Sequence, residues 1–144
     1  MKLYKLIILS AFFLLSSCKD FSFCDEKVPY LIKAELDMGE STEFDIAGLN
    51  LYFLNRSEKQ VSEITIVFYM FDEDGEPASL CRSNIVLSVK ENVAAGTSIE
   101  TCLNLDSFFT YIPEEQYTAD YIYVSRIVYE DGSEWKDSFG LQLY

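Results

Sequence analysis

The sequence predicts an all-β protein in which two antiparallel sheets pack as a sandwich of about seven strands. Short segments alternate apolar and polar residues with a period of two, the spacing of a strand that buries one face. Turn-forming residues separate these segments at regular intervals. The sequence contains no convincing long helix, so we expect the apolar faces to be buried by sheet packing.

The predicted strands fill the chain from residue 30 onward, at 30–36, 44–54, 61–71, 85–89, 99–105, 120–130 and 135–143. The segment 61–71 is expected at the centre of a sheet, because both of its faces are apolar near its C-terminal end. One face carries four apolar side chains, and the other carries Glu63, Thr65, Val67, Tyr69 and Phe71. Residues 107–115 are expected to be irregular, with Pro113 excluding a central strand.

The N-terminal segment has the features of an export leader. Lys2 and Lys5 precede an apolar run over 6–15, and two small serines follow. The run is half of the roughly 20 apolar residues that a membrane-spanning helix needs. The alternative of a retained membrane helix is opposed by Lys19 and Asp20, which end the run.

The four residues Leu15-Ser16-Ser17-Cys18 resemble the lipobox of bacterial lipoproteins. The resemblance implies that residues 1–17 are removed and that Cys18 becomes the lipidated first residue. It implies firm attachment to a membrane of the bacterial cell envelope, since lipoproteins carry more than one acyl chain and a single chain binds only marginally. Residues 18–29 then form a tether and 30–144 the sandwich domain. The alternative is an ordinary secretory leader with an incidental Cys18, and the choice of membrane or leaflet stays open.

The composition is acidic, with a formal net charge of −13 and no histidine. Removal of the leader, which holds two lysines and no acidic residue, would bring the charge to −15. Such a charge repels the phosphate backbone of nucleic acids, so we expect no nucleic-acid binding. The 15% aromatic content is typical of a folded domain rather than a disordered chain.

The four cysteines predict one disulfide. If Cys18 is acylated, three thiols remain in an oxidising compartment, and we expect Cys81 to pair with Cys102. Closing that loop would stabilise the domain by about 3 kcal/mol. The strand pattern places Cys102 on the more polar face, and Cys24 is a competing partner. Without histidine or CxxC spacing, a zinc or iron–sulfur site is not predicted.

A second resemblance concerns the sandwich itself. The positions Asn55, Val61, Ile64, Phe68, Asp72, Gly75 and Pro77 resemble the strand-and-turn pattern of small immunoglobulin-like domains of bacterial lipoproteins, the FxLYD type being nearest. The run 127–135 is similar to the closing hairpin of such domains. The resemblance covers 43–138 and implies an immunoglobulin-like sandwich, and it carries over no functional residue.

No catalytic signature occurs in the sequence. The absence of histidine removes His-based triads, and the carboxylates fall mainly in turns and on polar faces. We therefore expect a protein that is not an enzyme and has no cofactor. The turn Asp72-Glu73-Asp74-Gly75 offers oxygen ligands for calcium but lacks the rest of an EF-hand loop, and a hairpin turn explains it equally well, so no metal is predicted.

Tyrosines near the C-terminus supply the remaining functional hypothesis. Tyr121 and Tyr123, with Trp135 in the following hairpin, are candidates for an exposed aromatic strip suited to sugars or proteins. The alternative is that they belong to the sheet core. The sequence favours an anchored interaction or spacer module with an unidentified envelope protein partner, and a carbohydrate-binding module through the tyrosines is the alternative.

Overall fold

The computed structural model describes residues 28–78 and 84–141, which form two antiparallel sheets. Seven strands occur in the order β1 (Tyr30–Met38), β2 (Ala47–Asn55), β3 (Val61–Phe71), β4 (Asn84–Val89), β5 (Ser98–Asn104), β6 (Thr118–Tyr129) and β7 (Glu134–Lys136). A single 3₁₀ turn, Asp106–Phe108, lies between β5 and β6. The predicted all-β antiparallel sandwich is confirmed.

Two sheets of unequal width face each other. The three-stranded sheet has the order β1-β2-β5, and the four-stranded sheet has the order β4-β3-β6-β7. The chain crosses between the sheets three times, from β2 to β3, from β4 to β5 and from β5 to β6, as in immunoglobulin-like sandwiches. Residues 61–71 are central as predicted, since β3 pairs with a strand on each side.

The core lies between the two inner faces, where alternate side chains of each strand meet. Fully buried side chains from β2 and β3 supply most of its volume, namely Leu49, Leu51, Phe53, Ile64, Ile66, Phe68 and Met70. Their alternation with more exposed neighbours follows the period of two in the sequence. The pattern therefore predicts the inner face of both strands.

Strand β6 departs from a regular ladder at two places. Ser125 is an extra residue opposite the step from Thr65 to Ile66, and a second extra residue lies at 121–122, opposite the step from Val67 to Tyr69. Each insertion is a β-bulge, which bends the strand and shifts the side-chain alternation by one. Side chains on the two sides of a bulge therefore do not follow one period-two pattern.

Tyr30 connects the two sheets through the core. Its hydroxyl oxygen accepts a hydrogen bond from the backbone N–H of Val124 at 3.1 Å, beside the Ser125 bulge. Its ring stacks on Phe53 at 6.3 Å and meets Trp135 edge-on at 5.5 Å. Burial raises the pKa of the Tyr30 hydroxyl. The Tyr30 hydroxyl thus supplies the hydrogen-bond acceptor for a buried backbone N–H group.

The two ends of the sandwich differ in their connections. The entry end contains Pro29, whose carbonyl accepts the Arg56 N–H at 2.9 Å, and the segments 56–60, 90–97 and 130–133. The fully buried Asn55 holds this end together, because its side-chain amide donates to the carbonyls of Lys59 and Val93. The far end contains the segments 39–46, 72–78 and 105–117.

The second strand begins later than predicted, at Ala47 instead of residue 44. The preceding residues are held by Asp106, whose carboxylate accepts the backbone N–H groups of Asp45, Ile46 and Ala47 at 2.7 to 3.1 Å. These bonds lower the pKa of Asp106 to about 2. We call this set of bonds the Asp106 clamp. Over residues 44–46 it takes the place of pairing with a neighbouring strand.

The last strand is shorter than predicted, because β7 ends at Lys136. The chain then leaves the sheet edge, and residues 137–141 fold over the outer face of the four-stranded sheet, where Gly140 lies against the Tyr123 ring. Within the two described ranges, no helix has the length and apolar character needed to cross a bilayer.

Candidate interaction surface

The outer face of the four-stranded sheet is unusually apolar for a surface. On β3 the side chains that alternate with the buried core residues are Thr65, Val67, Tyr69 and Phe71, as the sequence predicts. Val86 of β4 pairs with Val67 and is 54% exposed. The sheet therefore presents aliphatic and aromatic groups on both sides.

Most exposed apolar side chains of the described residues gather at this face. Of the six large ones, four are on it or on the segment that crosses it, namely Val86, Tyr121, Phe139 and Leu141. The remaining two, Tyr111 and Ile112, are in the far-end segment 105–117. Exposed apolar side chains that gather on one face are typical of interaction sites.

Three rings at the far end of this face form what we call the aromatic corner, Tyr69, Phe71 and Tyr121. The ring of Tyr121 meets the ring of Tyr69 at 6.2 Å and 86°, and that of Phe71 at 6.0 Å and 61°. Tyr121 is 65% exposed, while the other two rings are half-buried. Both contacts are edge-on, the geometry that aromatic pairs prefer over a parallel sandwich.

Tyr121 reaches this position through an uncommon backbone conformation. Its φ is +52°, the left-handed region that bulky residues rarely occupy. It lies at the bulge in β6, where two residues face one residue of β3. The carboxylate of Asp120 accepts the Tyr121 N–H at 2.7 Å. The bulge thereby turns Tyr121 toward Tyr69 and Phe71.

The predicted strip of Tyr121, Tyr123 and Trp135 does not form one exposed surface. Tyr123 is on the outer face but only 9% exposed. Trp135 pairs in register with the buried Ile127 and packs against the core, edge-on to Tyr30. Only Tyr121 of the three is exposed, so its surface neighbours are Tyr69 and Phe71. The period of two in β3 predicts that these two residues share one face of the strand.

The C-terminal strap, residues 137–141, covers Tyr123. A Cβ added to Gly140 would lie 2.9 Å from the Tyr123 ring, and Gly140 has a φ of +64°. The carboxylate of the buried Asp137 accepts the N–H groups of Phe139 and Leu141, at 3.4 and 3.2 Å. Burial raises the pKa of the Tyr123 hydroxyl, and the nearby Tyr69 adds to the effect. The strap thus orients Phe139 and Leu141 outward.

A shallow open groove lies beside the strap, with an apolar floor of Val67, Val86 and Tyr123. Its charged rim is internally paired, because Arg126 contacts both Glu63 and Glu134, and Lys136 contacts Glu134 at 2.6 Å. The Arg126 and Lys136 contacts hold the pKa of Glu134 at about 2. The rim cations are therefore already neutralised by carboxylates.

The outer face of the three-stranded sheet has a different character. Phe44 is buried against it, with its ring over Gly48, where a Cβ would lie 2.3 Å from the ring carbons. Cys102 pairs with the exposed Asn50 and lies beside this ring, on the polar face that the sequence predicts. Burial, followed by a hydrogen bond with Glu43, raises the pKa of its thiol to about 11.

The predicted modification and pairing of the cysteines stay predictions. Cys102 is a free thiol in the described part of the chain. Its predicted partner Cys81 lies outside the described residues, as do the competing Cys24 and the lipidation site Cys18. A thiol with a raised pKa reacts slowly as a nucleophile, so Cys102 has the character of a structural residue.

The acidic turn after β3 is held by its own first residue. The carboxylate of Asp72 accepts the N–H groups of Asp74 and Glu76, at 3.1 and 2.8 Å, and the Asp72 carbonyl accepts the Gly75 N–H. Gly75 has the positive φ of +80° that this turn requires. Among the described residues no three metal-ligating side chains come together.

Charge is distributed unequally between the two ends. The far-end segments 39–46, 72–78 and 105–117 contain ten acidic residues and no lysine or arginine. The entry-end segments 56–60, 90–97 and 130–133 contain four acidic and three basic residues. The aromatic corner lies at the acidic end, since β3 ends and β6 begins there.

No protein-family model matches this chain, and neither does any curated protein. Among solved structures, the chain is similar to a 1.85 Å X-ray structure of a hypothetical protein from Peptoclostridium difficile 630. The TM-score is 0.56 at 13% sequence identity, and the match covers 79% of this chain and 89% of the other. At that identity the likeness supports the fold and nothing finer.

Proposed function

We propose that this chain is a membrane-anchored interaction module of the bacterial cell envelope, which binds a protein partner through the outer face of its four-stranded sheet. The observation that carries the proposal is the gathering of exposed Val86, Tyr121, Phe139 and Leu141 on one face. Leaving these side chains in water forgoes the free energy of burying them, about 1.5–3 kcal/mol for a large apolar side chain. A partner that covers them recovers it.

The proposed anchor would leave the binding face accessible to a partner. A lipid on Cys18 would hold the chain at the entry end, because the tether leads to Pro29 and Tyr30. The aromatic corner is at the opposite end of the same strands. An anchored domain would therefore point this corner away from its own membrane, where a partner can approach it.

The proposal assigns binding rather than turnover to the domain. The whole chain lacks histidine, the commonest general base. The carboxylates with the most strongly lowered pKa values act within the fold. Asp106 accepts backbone N–H groups, Asp131 pairs with Lys59 at 2.7 Å, and Glu134 pairs with Arg126 and Lys136.

The exposure of Tyr121 supports carbohydrate binding as a second candidate. Sugar rings stack on flat aromatic faces, however, and the rings of the corner stand at 86° and 61° to Tyr121 rather than coplanar. With Tyr123 covered and Trp135 turned inward, the predicted strip offers a glycan one exposed ring. This geometry favours a protein partner over a glycan.

Site-specific photocrosslinking tests the interaction role. A photoreactive phenylalanine analogue replaces Phe139 on the proposed binding face, or Asn50 on the outer face of the three-stranded sheet, in cells that express the full chain. We expect a discrete protein adduct of reproducible mass from position 139 and none from position 50. Absence of a discrete adduct from position 139, or equal adducts from both positions, would overturn the proposal.

Intact mass of the protein from its native membrane tests the anchor. We expect a chain of residues 18–144 with added acyl mass, and loss of that mass together with membrane association in Cys18→Ser. An unmodified mature chain in the soluble fraction would remove the anchor. The crosslinking result would still stand, because it does not depend on lipidation.

A further inference from the structure

We propose that the aromatic corner docks a lysine- or arginine-bearing segment of the partner protein, with a cationic side chain against the rings of Tyr121 and its neighbours. This inference rests on the proposed interaction role and specifies its partner. The surface is the unpartnered outer face of the four-stranded sheet at its far end. The cationic character of the occupant follows from the rings and the charges around them.

The rings provide the first part of the argument. An aromatic face attracts a cation through its quadrupole, at about 0.5–1 kcal/mol for an exposed site and about 2 kcal/mol when water is displaced. Tyr121 stands nearly perpendicular to Tyr69 and at 61° to Phe71, so the three rings present faces in different directions. Non-parallel rings of this kind suit a compact cation better than a flat ligand.

The surrounding charge provides the second part. Asp120 is opposite Tyr69 in the ladder and adjacent to Tyr121, and Asp72 directly follows Phe71. The exposed Glu73 and Asp74 continue the same turn. In the far-end segments that the structure describes, no lysine or arginine offsets these carboxylates. The corner is therefore complementary to a positive partner and repels a negative one.

The described lysine and arginine side chains nearest this face already have other partners, so none of them lies against the aromatic corner. Arg126 and Lys136 are located toward the entry end, where Glu63 and Glu134 pair with them. Lys59 already lies over a ring, that of Tyr129, at 5.5 Å, and pairs with Asp131 at 2.7 Å. A lysine over a tyrosine beside an aspartate thus occurs within this fold. The corner presents tyrosine and aspartate without such a lysine among the described residues.

An oligolysine peptide is the probe for the first test. Its binding to the full-length protein in zwitterionic detergent is measured by isothermal titration calorimetry at low and high salt. We expect Tyr121→Ala to weaken binding about fivefold, the equivalent of one exposed cation–π contact. The control is Tyr111→Ala, which removes a tyrosine of 56% exposure from the same acidic end but outside the sheet. This variant should bind like the wild type.

A second pair of variants tests the charges without touching a ring. Glu73→Gln with Asp74→Asn neutralises two exposed carboxylates of the turn after Phe71, and we expect it to weaken oligolysine binding about threefold at low salt. Glu58→Gln with Glu91→Gln removes two exposed carboxylates at the entry end and should leave binding unchanged. High salt should reduce the difference between the two double variants.

Equal binding by Tyr121→Ala and Tyr111→Ala would overturn the inference, because it would mean that only net charge attracts the peptide. No binding, or tighter binding of a neutral oligosaccharide, would overturn it as well. Photocrosslinking separates this result from the interaction role. An adduct from position 139 that persists in Tyr121→Ala, together with equal peptide binding, keeps the interaction role and removes only the cationic partner.

Discussion

Tyr30 shows how much one hydroxyl group can contribute to this fold. The bulge at Ser125 turns the N–H of Val124 toward the core, and the Tyr30 oxygen accepts it at 3.1 Å. The donor belongs to one sheet and the acceptor to the other, so the bond links the two sheets directly. Neither partner is conspicuous in the sequence, because the bond joins residues that are 94 positions apart.

We expect Tyr30→Phe to destabilise the domain by about 1–2 kcal/mol, because the ring packing is kept while a buried N–H loses its acceptor. Urea unfolding followed by the fluorescence of Trp135, the single tryptophan, measures the change. Tyr111→Phe serves as the control, since its hydroxyl is on an exposed side chain. Equal unfolding midpoints for Tyr30→Phe and the wild type would show that another group satisfies Val124.

Asp106 makes the stability of the far end dependent on pH. Its carboxylate accepts three backbone N–H groups, and its pKa falls from the ordinary 3.8 to about 2. A lowered pKa means that the folded state favours the ionised form. The stabilisation is therefore complete above the ordinary pKa and is lost as the pH falls from about 4 toward 2.

We expect Asp106→Asn to remove this acid-sensitive contribution to stability. The urea midpoint of the variant should therefore fall less between pH 4 and pH 2 than that of the wild type. At neutral pH the variant should be less stable, because an amide offers fewer acceptor sites to the loop. Glu114→Gln is the control, since it removes an exposed carboxylate of the same end, and its midpoint should change with pH as that of the wild type does. Parallel midpoint curves for Asp106→Asn and the wild type would contradict this role.

At the scale of elements, β6 explains why the candidate residues Tyr121, Tyr123 and Trp135 do not form one exposed strip. A period of two assigns Tyr121, Tyr123 and Ile127 to one face, whereas the bulge at Ser125 separates Tyr123 from the buried Ile127. A bulge depends on how two strands fit together, and its local sequence signal here is weak. From residue 63 to residue 71 the extra residues are on β6 and not on β3, so the side chains of β3 alternate there as the period of two predicts.

The C-terminal strap yields an element-scale prediction. Gly140→Ala places a methyl group 2.9 Å from the Tyr123 ring and strains a φ of +64°, so the strap should lift from the sheet. We expect Tyr123, 9% exposed in the wild type, to become reactive toward nitration, as read by mass spectrometry. Gly132→Ala is the matched control, because it strains a φ of +79° but meets no atom within 4 Å.

Both substitutions should destabilise the domain by about 1 kcal/mol through the strained backbone. Only Gly140→Ala should expose Tyr123, since only that methyl group meets the ring. Protection of Tyr123 in Gly140→Ala would mean that the strap does not control its exposure.

At the scale of the whole molecule, the sequence predicts the architecture well and the surface poorly. The alternation of apolar residues is a local property, so the strands, the central position of β3 and the sandwich follow from it. The strap, the Asp106 clamp and the aromatic corner each join residues distant in sequence. The acidic end likewise becomes visible only when three separate segments are brought together by the topology.

The register of β1 against β2 has a mechanical consequence. Nine residue pairs join the two strands, and the chain enters β1 at the end opposite the aromatic corner. If the N-terminus is held at a membrane while a partner pulls on the far end, the force runs along the strands. All nine pairs of β1 and β2 then bear the load together in shear, whereas a pull across the strands would open them one at a time. A tethered domain of this geometry is strongest in the direction in which its anchor would pull it.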